Sequence, residues 1–131
     1  MAQKPIELIL LRELVSRLGF PVTMVDAEGN VVFYNEPAEE LLGRHLNDTG
    51  ELPLADLVDL YSPLDENGAP LPLDQLPIRV ALRERRPKQG QLYVHDAGGK
   101  AHLITTTAIP LDGQGGTLLG AMAIFWETKG A

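Results

Sequence analysis

A chain of 131 residues, 44% apolar and 22% charged, is long enough for one buried core, too short for two, and too hydrophobic to be disordered throughout. Its formal net charge of -7 opposes unspecific attraction to nucleic acid or to an anionic membrane face, because phosphate binding needs Lys and Arg to displace counterions. The absence of Cys removes disulfides, thiolate metal sites and cysteine nucleophiles together.

The first predicted element is a helix over residues 6–18, with Pro5 in its first turn and Gly19 and Pro21 stopping it. Leu8, Leu11, Val15 and Leu18 form one stripe at helical spacing, and Ile6, Ile9, Leu10 and Leu14 add a second apolar surface. A helix apolar on two sides must bury both. One stripe fits this domain's sheet and the other fits a partner chain or the rest of a larger parent protein. Two short strands follow, residues 22–25 and 31–34, joined by a turn through Asp26, Gly29 and Asn30. Asn35, with Pro37 close behind, is placed to cap a helix that ends at Gly43.

From His45 to Pro77 the pattern is weaker. Leu54, Leu57, Val58 and Leu60 fit a turn or two of helix, while Ser62-Pro63, Asn67-Gly68, Pro70 and Pro72 mark loops. A longer helix is predicted over residues 74–86, with Asp74 as its N-cap, Pro77 in its first turn and Leu76, Val80 and Leu82 at apolar positions. The basic cluster Arg83, Arg85, Arg86 and Lys88 at its end suits a solvated helix C-terminus. Three strands close the chain: 91–95, 101–109 and 118–126. Both faces of the last two are apolar, so the sheet needs cover on both sides.

In this order the chain resembles the PAS domain family over about residues 20–127. The likeness is carried by residues 21–30 as an opening strand and acidic-Gly turn, and by Val31 to Asn35 with Ala38, Leu42 and Gly43 as a strand, Asn and helix. Gly99 before the next strand and residues 108–111 at its end complete it. Asn67 to Pro72, Leu76 to Ile78, Ala81 and Leu82 resemble a subgroup common among actinobacterial sensor proteins. The resemblance implies an α+β fold: a five-stranded antiparallel sheet with short helices on one face and an N-terminal helix on the other. It divides the chain into a capping or dimerisation helix, residues 1–19, and a PAS domain, residues 20–131. The family's terminal Asp-hydrophobic-Thr signal falls on Glu127, Thr128 and Lys129, a poor match.

The resemblance also implies a ligand pocket between the sheet and the helix near residues 74–86. Its expected lining is Met24, Phe33, Ile78, Leu82, Ile104, Thr106, Met122 and Ile124, with Ala108 also inward and Leu103, Thr105 and Thr107 outward. Each apolar member also reads as ordinary core; the Thr106 hydroxyl could orient a ligand. Cysteine-linked chromophores are ruled out, and haem is disfavoured because residues 74–86 contain no His. That leaves a non-covalent flavin, a small organic acid or other metabolite, or no ligand. A two-residue turn at Gly98-Gly99 would set His95 opposite His102, with Cβ atoms roughly 4.5–5.5 Å apart. Two imidazoles there could share a metal ion, or simply be polar residues at a hairpin end; no metal site is assigned.

No catalytic residue is assigned either. Gly113, Gly115, Gly116 and Gly120 join strands rather than opening a helix, and the Glu39-Glu40 and Asp65-Glu66 pairs read as solvated acids. The expectation is therefore a non-enzymatic sensory module in bacterial signal transduction. Ile6, Ile9, Leu10 and Leu14 would form a homodimer seam. An effector domain (kinase, phosphatase, cyclase or transcription domain) would act in the same chain or in trans. The alternative is a ligand-free structural dimerisation module. With no apolar run of about 18 residues and no convincing signal peptide, a cytoplasmic location is expected, without nucleic-acid or membrane partners.

Overall fold

The computed structural model describes residues 6–45 and 52–128. The expected roles of Pro5 and Lys129 lie outside these residues.

The first helix, α1, spans Ile6–Val15. It stops short of Leu18 because the next amides turn inward: Arg17 and Leu18 donate to the carbonyls of Leu14 and Val15, three residues back (3.0 and 3.1 Å). Strands β1 (Val22–Asp26) and β2 (Asn30–Tyr34) form a hairpin. The Asp26 carboxylate closes its turn by accepting from the amides of Glu28 and Asn30, both at 3.0 Å. The pairing slips by one residue between Met24↔Phe33 and Val25↔Val31, so Val32 is extra. Such a bulge sends neighbouring side chains to one face: Val32 and Phe33 lie together on one side of the sheet, Val31 and Tyr34 on the other.

Asn35 caps α2 (Glu36–Leu42), accepting from the Ala38 amide, and Gly43 ends it at φ 72. Strand β3 (Leu52–Pro53) pairs with β2 and leads into α3 (Leu54–Tyr61). A 3-10 turn (Leu73–Gln75) precedes α4 (Pro77–Glu84), whose N-cap is Leu76 rather than Asp74. The Asp74 carboxylate instead faces Arg79 and Arg83 at 4.0 and 3.9 Å. The last strands run longer than expected: β4 (Lys88–His95), β5 (Ala101–Asp112) and β6 (Leu118–Glu127).

Among the described residues the strands form one antiparallel sheet in the order β3-β2-β1-β6-β5-β4. It has six strands where five were expected. The additional one, β3, is two residues long and contains proline, which fits only an edge and leaves no alternation to read. One face carries a core shared with α2, α3 and α4, including Val31, Tyr34, Leu42, Tyr61, Ile78 and Phe125. The other carries a smaller core in which Leu8 and Val15 of α1 meet Val22, Met24, Val32 and Met122. No helix of the described residues is long and apolar enough to cross a membrane.

Candidate functional site

A cavity of about 110 Å³ lies between the helix-covered face of the sheet and the helices. Its floor is drawn from four strands: Thr23 on β1, Ala123 and Phe125 on β6, Ile104 and Thr106 on β5, Leu92 and Val94 on β4. Its roof comes from Leu42 of α2, from Leu54, Leu57, Val58 and Tyr61 of α3, and from Leu76, Pro77 and Ile78 around the start of α4. The Thr106 hydroxyl is already engaged, donating to the Ile124 carbonyl at 3.3 Å. Burial, then the neighbouring Tyr34, push the Tyr61 phenol well above its ordinary pKa, so it stays neutral. The Arg44 guanidinium stacks on the Tyr61 ring at 5.7 Å and is not part of the lining.

Of the residues expected here, Ile78, Ile104 and Thr106 line the cavity, and Leu82 packs in the same core without reaching it. Met24, Phe33, Met122 and Ile124 do not belong to it. They lie on the opposite face of the sheet in the core beneath α1, where Met24 pairs directly with both Phe33 and Met122. The hollow left beneath α1, between Leu8, Arg12, Met24 and Phe33, is about 20 Å³, and Arg12 closes it by stacking on Phe33 at 4.8 Å. The α3 lining was missed, although Leu54, Leu57, Val58 and Tyr61 stand at i, i+3, i+4 and i+7, the spacing of a single helical face.

The expected histidine pair does not form. The loop after β4 has three residues rather than two: the Asp96 amide donates to the Lys100 carbonyl, and Gly99 sits at φ +86. His95 therefore pairs with Ala101, and His102 with Val94. The His95 ring faces the Ser62 carbonyl at 3.1 Å, while His102, 8% exposed, lies between two carboxylates. Its Nε2 meets Asp96 at 2.9 Å, and Glu127 lies 3.3 Å from Nδ1. The Asp96 hydrogen bond raises the imidazole pKa against the effect of burial, and Glu127 adds to the rise. The same bond, with the amides of Lys100 and Gly98, lowers that of Asp96. Among the described residues no cluster of three or more His, Asp or Glu could hold a metal ion.

On the far side of α1 the second stripe is bare: Ile6, Ile9, Leu10 and Leu14 are 68%, 48%, 62% and 59% exposed. Phe20 is also exposed, edge-on to Trp126 with ring centres 6.4 Å apart.

The chain matches the family model described as the PAS fold over residues 15–130, nearly its whole length. No curated protein matches it. Among solved structures it is similar to the PAS domain of a Colwellia psychrerythraea protein, at 16% identity and TM-score 0.65, covering 93% of this chain and 97% of that one. A Rhodobacter sphaeroides LOV protein is similar at 20% identity and TM-score 0.74, covering 95% and 69%. A PAS domain from a two-component sensor histidine kinase is similar at 11% identity and TM-score 0.61, covering 94% and 97%. These likenesses are of fold. The chain belongs to the PAS-fold family.

Proposed function

We propose that this PAS-fold chain is a non-catalytic sensory module of bacterial signal transduction, which takes a small ligand into the cavity and relays its state through a homodimer seam on α1. One observation carries the reading: the two candidate surfaces share a wall. Along β6, Ala123 and Phe125 face the cavity while Met122 and Ile124 support the core under α1. The Thr106 hydroxyl bonds the backbone of Ile124 across the same wall. Side chains of successive strand residues point to opposite faces, so a displacement of β6 by a guest reaches the seat of α1 directly. Such a guest shifts the module only by its difference in affinity for the two packings.

The seam comprises Ile6, Ile9, Leu10 and Leu14, a contiguous apolar face that water does not favour. Its output would pass to an effector domain in the same chain or in trans. A kinase is supported by one structural neighbour, a PAS domain from a two-component sensor histidine kinase; a phosphatase, cyclase or transcription domain would suit the same surface. A cytoplasmic location and the actinobacterial-type subgroup, which rests on Asn67 to Pro72, Leu76 to Ile78, Ala81 and Leu82, belong to the same proposal. Sedimentation velocity tests the relay surface. The native chain should sediment as a dimer and Leu14→Glu as a folded monomer, because the substitution buries an unpaired charge in the seam. A Leu14→Glu chain that remains dimeric refutes the seam.

A further inference from the structure

The lining of the cavity restricts what can enter it. The side chains around it include no Asp, Glu, Lys, Arg, His, Asn or Gln, and its polar groups are the hydroxyls of Thr23, Thr106 and Tyr61. Thr106 is spent on the Ile124 carbonyl, while the Tyr61 hydroxyl, buried near Tyr34, has no hydrogen-bond partner among the described residues and is the one lining hydroxyl known to be left over. Asn35, the buried amide nearest in sequence to these strands, has both ends engaged by backbone groups of Val15, Phe20, Val22 and Ala38.

A carboxylate guest would therefore be desolvated without a cation or amide to receive it, which is the costliest way to bury a polar group. A flavin ring presents alternating N–H and carbonyl groups along one edge, and the lining offers no matching set. It is also too large, since sites for molecules of that class span roughly 300–1,000 Å³, against about 110 Å³ here. A water molecule needs two to four polar partners, whereas an engineered apolar cavity of about 150 Å³ stays dry and admits benzene or xenon. The apolar walls of such a hollow lack partner atoms while it is unfilled, and an apolar guest supplies them.

We infer that the ligand is a small, neutral, apolar molecule of about benzene size, and neither a flavin nor an organic acid. The inference rests on reading the cavity as the ligand site and specifies that ligand's chemical class.

The test uses the full chain with three probes: benzene, benzoate as the same ring carrying a charge, and flavin mononucleotide. Benzene near saturation should raise the melting temperature by several degrees (~2–6 °C), as expected for a ligand that binds only the folded state. It should also shift the methyl resonances of Ile78, Ile104 and Thr106, which line the cavity, more than those of Met24 and Met122 across the sheet. Ala123→Leu, which fills the floor, should abolish both effects. The methyl shifts in the native chain decide the matter if that variant fails to fold. Stabilisation by benzoate or flavin but not benzene overturns the apolar class and leaves the cavity reading standing. No effect from any probe overturns both. Benzene shifts confined to the face under α1 overturn the inference by placing the guest elsewhere.

Discussion

Asn35 is the residue whose loss should reach farthest through the fold. It is 1% exposed, and its carboxamide joins four segments. The side-chain oxygen accepts from the amides of Val22 at 2.9 Å and Ala38 at 3.2 Å; the nitrogen donates to the carbonyls of Val15 at 3.1 Å and Phe20 at 2.8 Å. One side chain thus caps α2, starts β1 and ties down the C-terminal end of α1. In Asn35→Ala the cap is lost at about 1 kcal/mol, and the buried Val22 amide is orphaned at about 1–3 kcal/mol. The Val15 carbonyl keeps a bond from Leu18, so its share is small. The Phe20 carbonyl loses its 2.8 Å partner at about 1 kcal/mol, so a loss of about 3–5 kcal/mol follows, a large part of the roughly 5–15 kcal/mol that holds a domain together. Urea denaturation should show a lowered midpoint with an unchanged slope, and the melting point should drop by roughly 10–20 °C. Asn35→Asp separates the two ends of the amide. It keeps both accepted bonds but sets a carboxylate against two carbonyls, so it should be markedly less stable when ionised than when protonated. An Ala variant within about 1 kcal/mol of the native chain, or an ionised Asp variant of native stability, refutes the four-way tie.

Gly120→Ala should cost about 3 kcal/mol or more: the residue sits at φ +155, and a Cβ there collides with the Val25 carbonyl oxygen in the adjoining strand. Gly99→Ala, at φ +86 with open space around it, should lose only about 1 kcal/mol of backbone strain; equal losses in urea denaturation would mean that the β1–β6 approach is not the constraint. The His102 clasp should make stability pH-dependent. Its raised pKa contributes stability that is fully present below the ordinary imidazole value and disappears as the pH climbs through the raised one, while the lowered Asp96 pKa contributes stability that is present above the ordinary carboxylate value and disappears on acidification through the lowered one. Melting temperatures across the imidazole range should fall toward alkaline pH in the native chain and flatten in His102→Gln, and an identical slope in the two would refute the clasp.

The order of elements was legible because it rests on local chemistry. Asn35 with Pro37 behind it announces a capped helix, Gly43 announces its end, and both do so in the structure. The register of the β4–β5 hairpin was legible too, though not from Gly98-Gly99. Asp26, Asp65 and Asp96 each stand three residues before a glycine at positive φ. Each carboxylate accepts from the amides two and four residues on, at 2.9–3.0 Å. An Asp-x-x-Gly turn of this kind needs three residues between the paired ends. Recognising the first repeat in the second and third would have given His95 its true partner, Ala101. Strand β3 and the Val32 bulge carried no such signal, since each is set by the pairing of one strand with another rather than by a local turn.

The misplaced cavity residues have a different cause. Met24, Phe33, Met122 and Ile124 were expected around the cavity as further lining candidates of the pocket the resemblance implies, but large side chains fill space. A cavity opens where they are missing. Across the three central strands, Ala123 pairs with Thr23 on one side and with Ala108 on the other, and Thr106 and Ala121 share that face. The opposite face of the same strands carries Met24, Ile109, Met122 and Ile124, which fill the space beneath α1. Because the period of a strand is two, a slip of one residue would exchange these sets, placing alanines under α1 and methionines in the cavity. The asymmetry of side-chain size between the two faces therefore fixes which side of the sheet can admit a guest and which side must hold a helix.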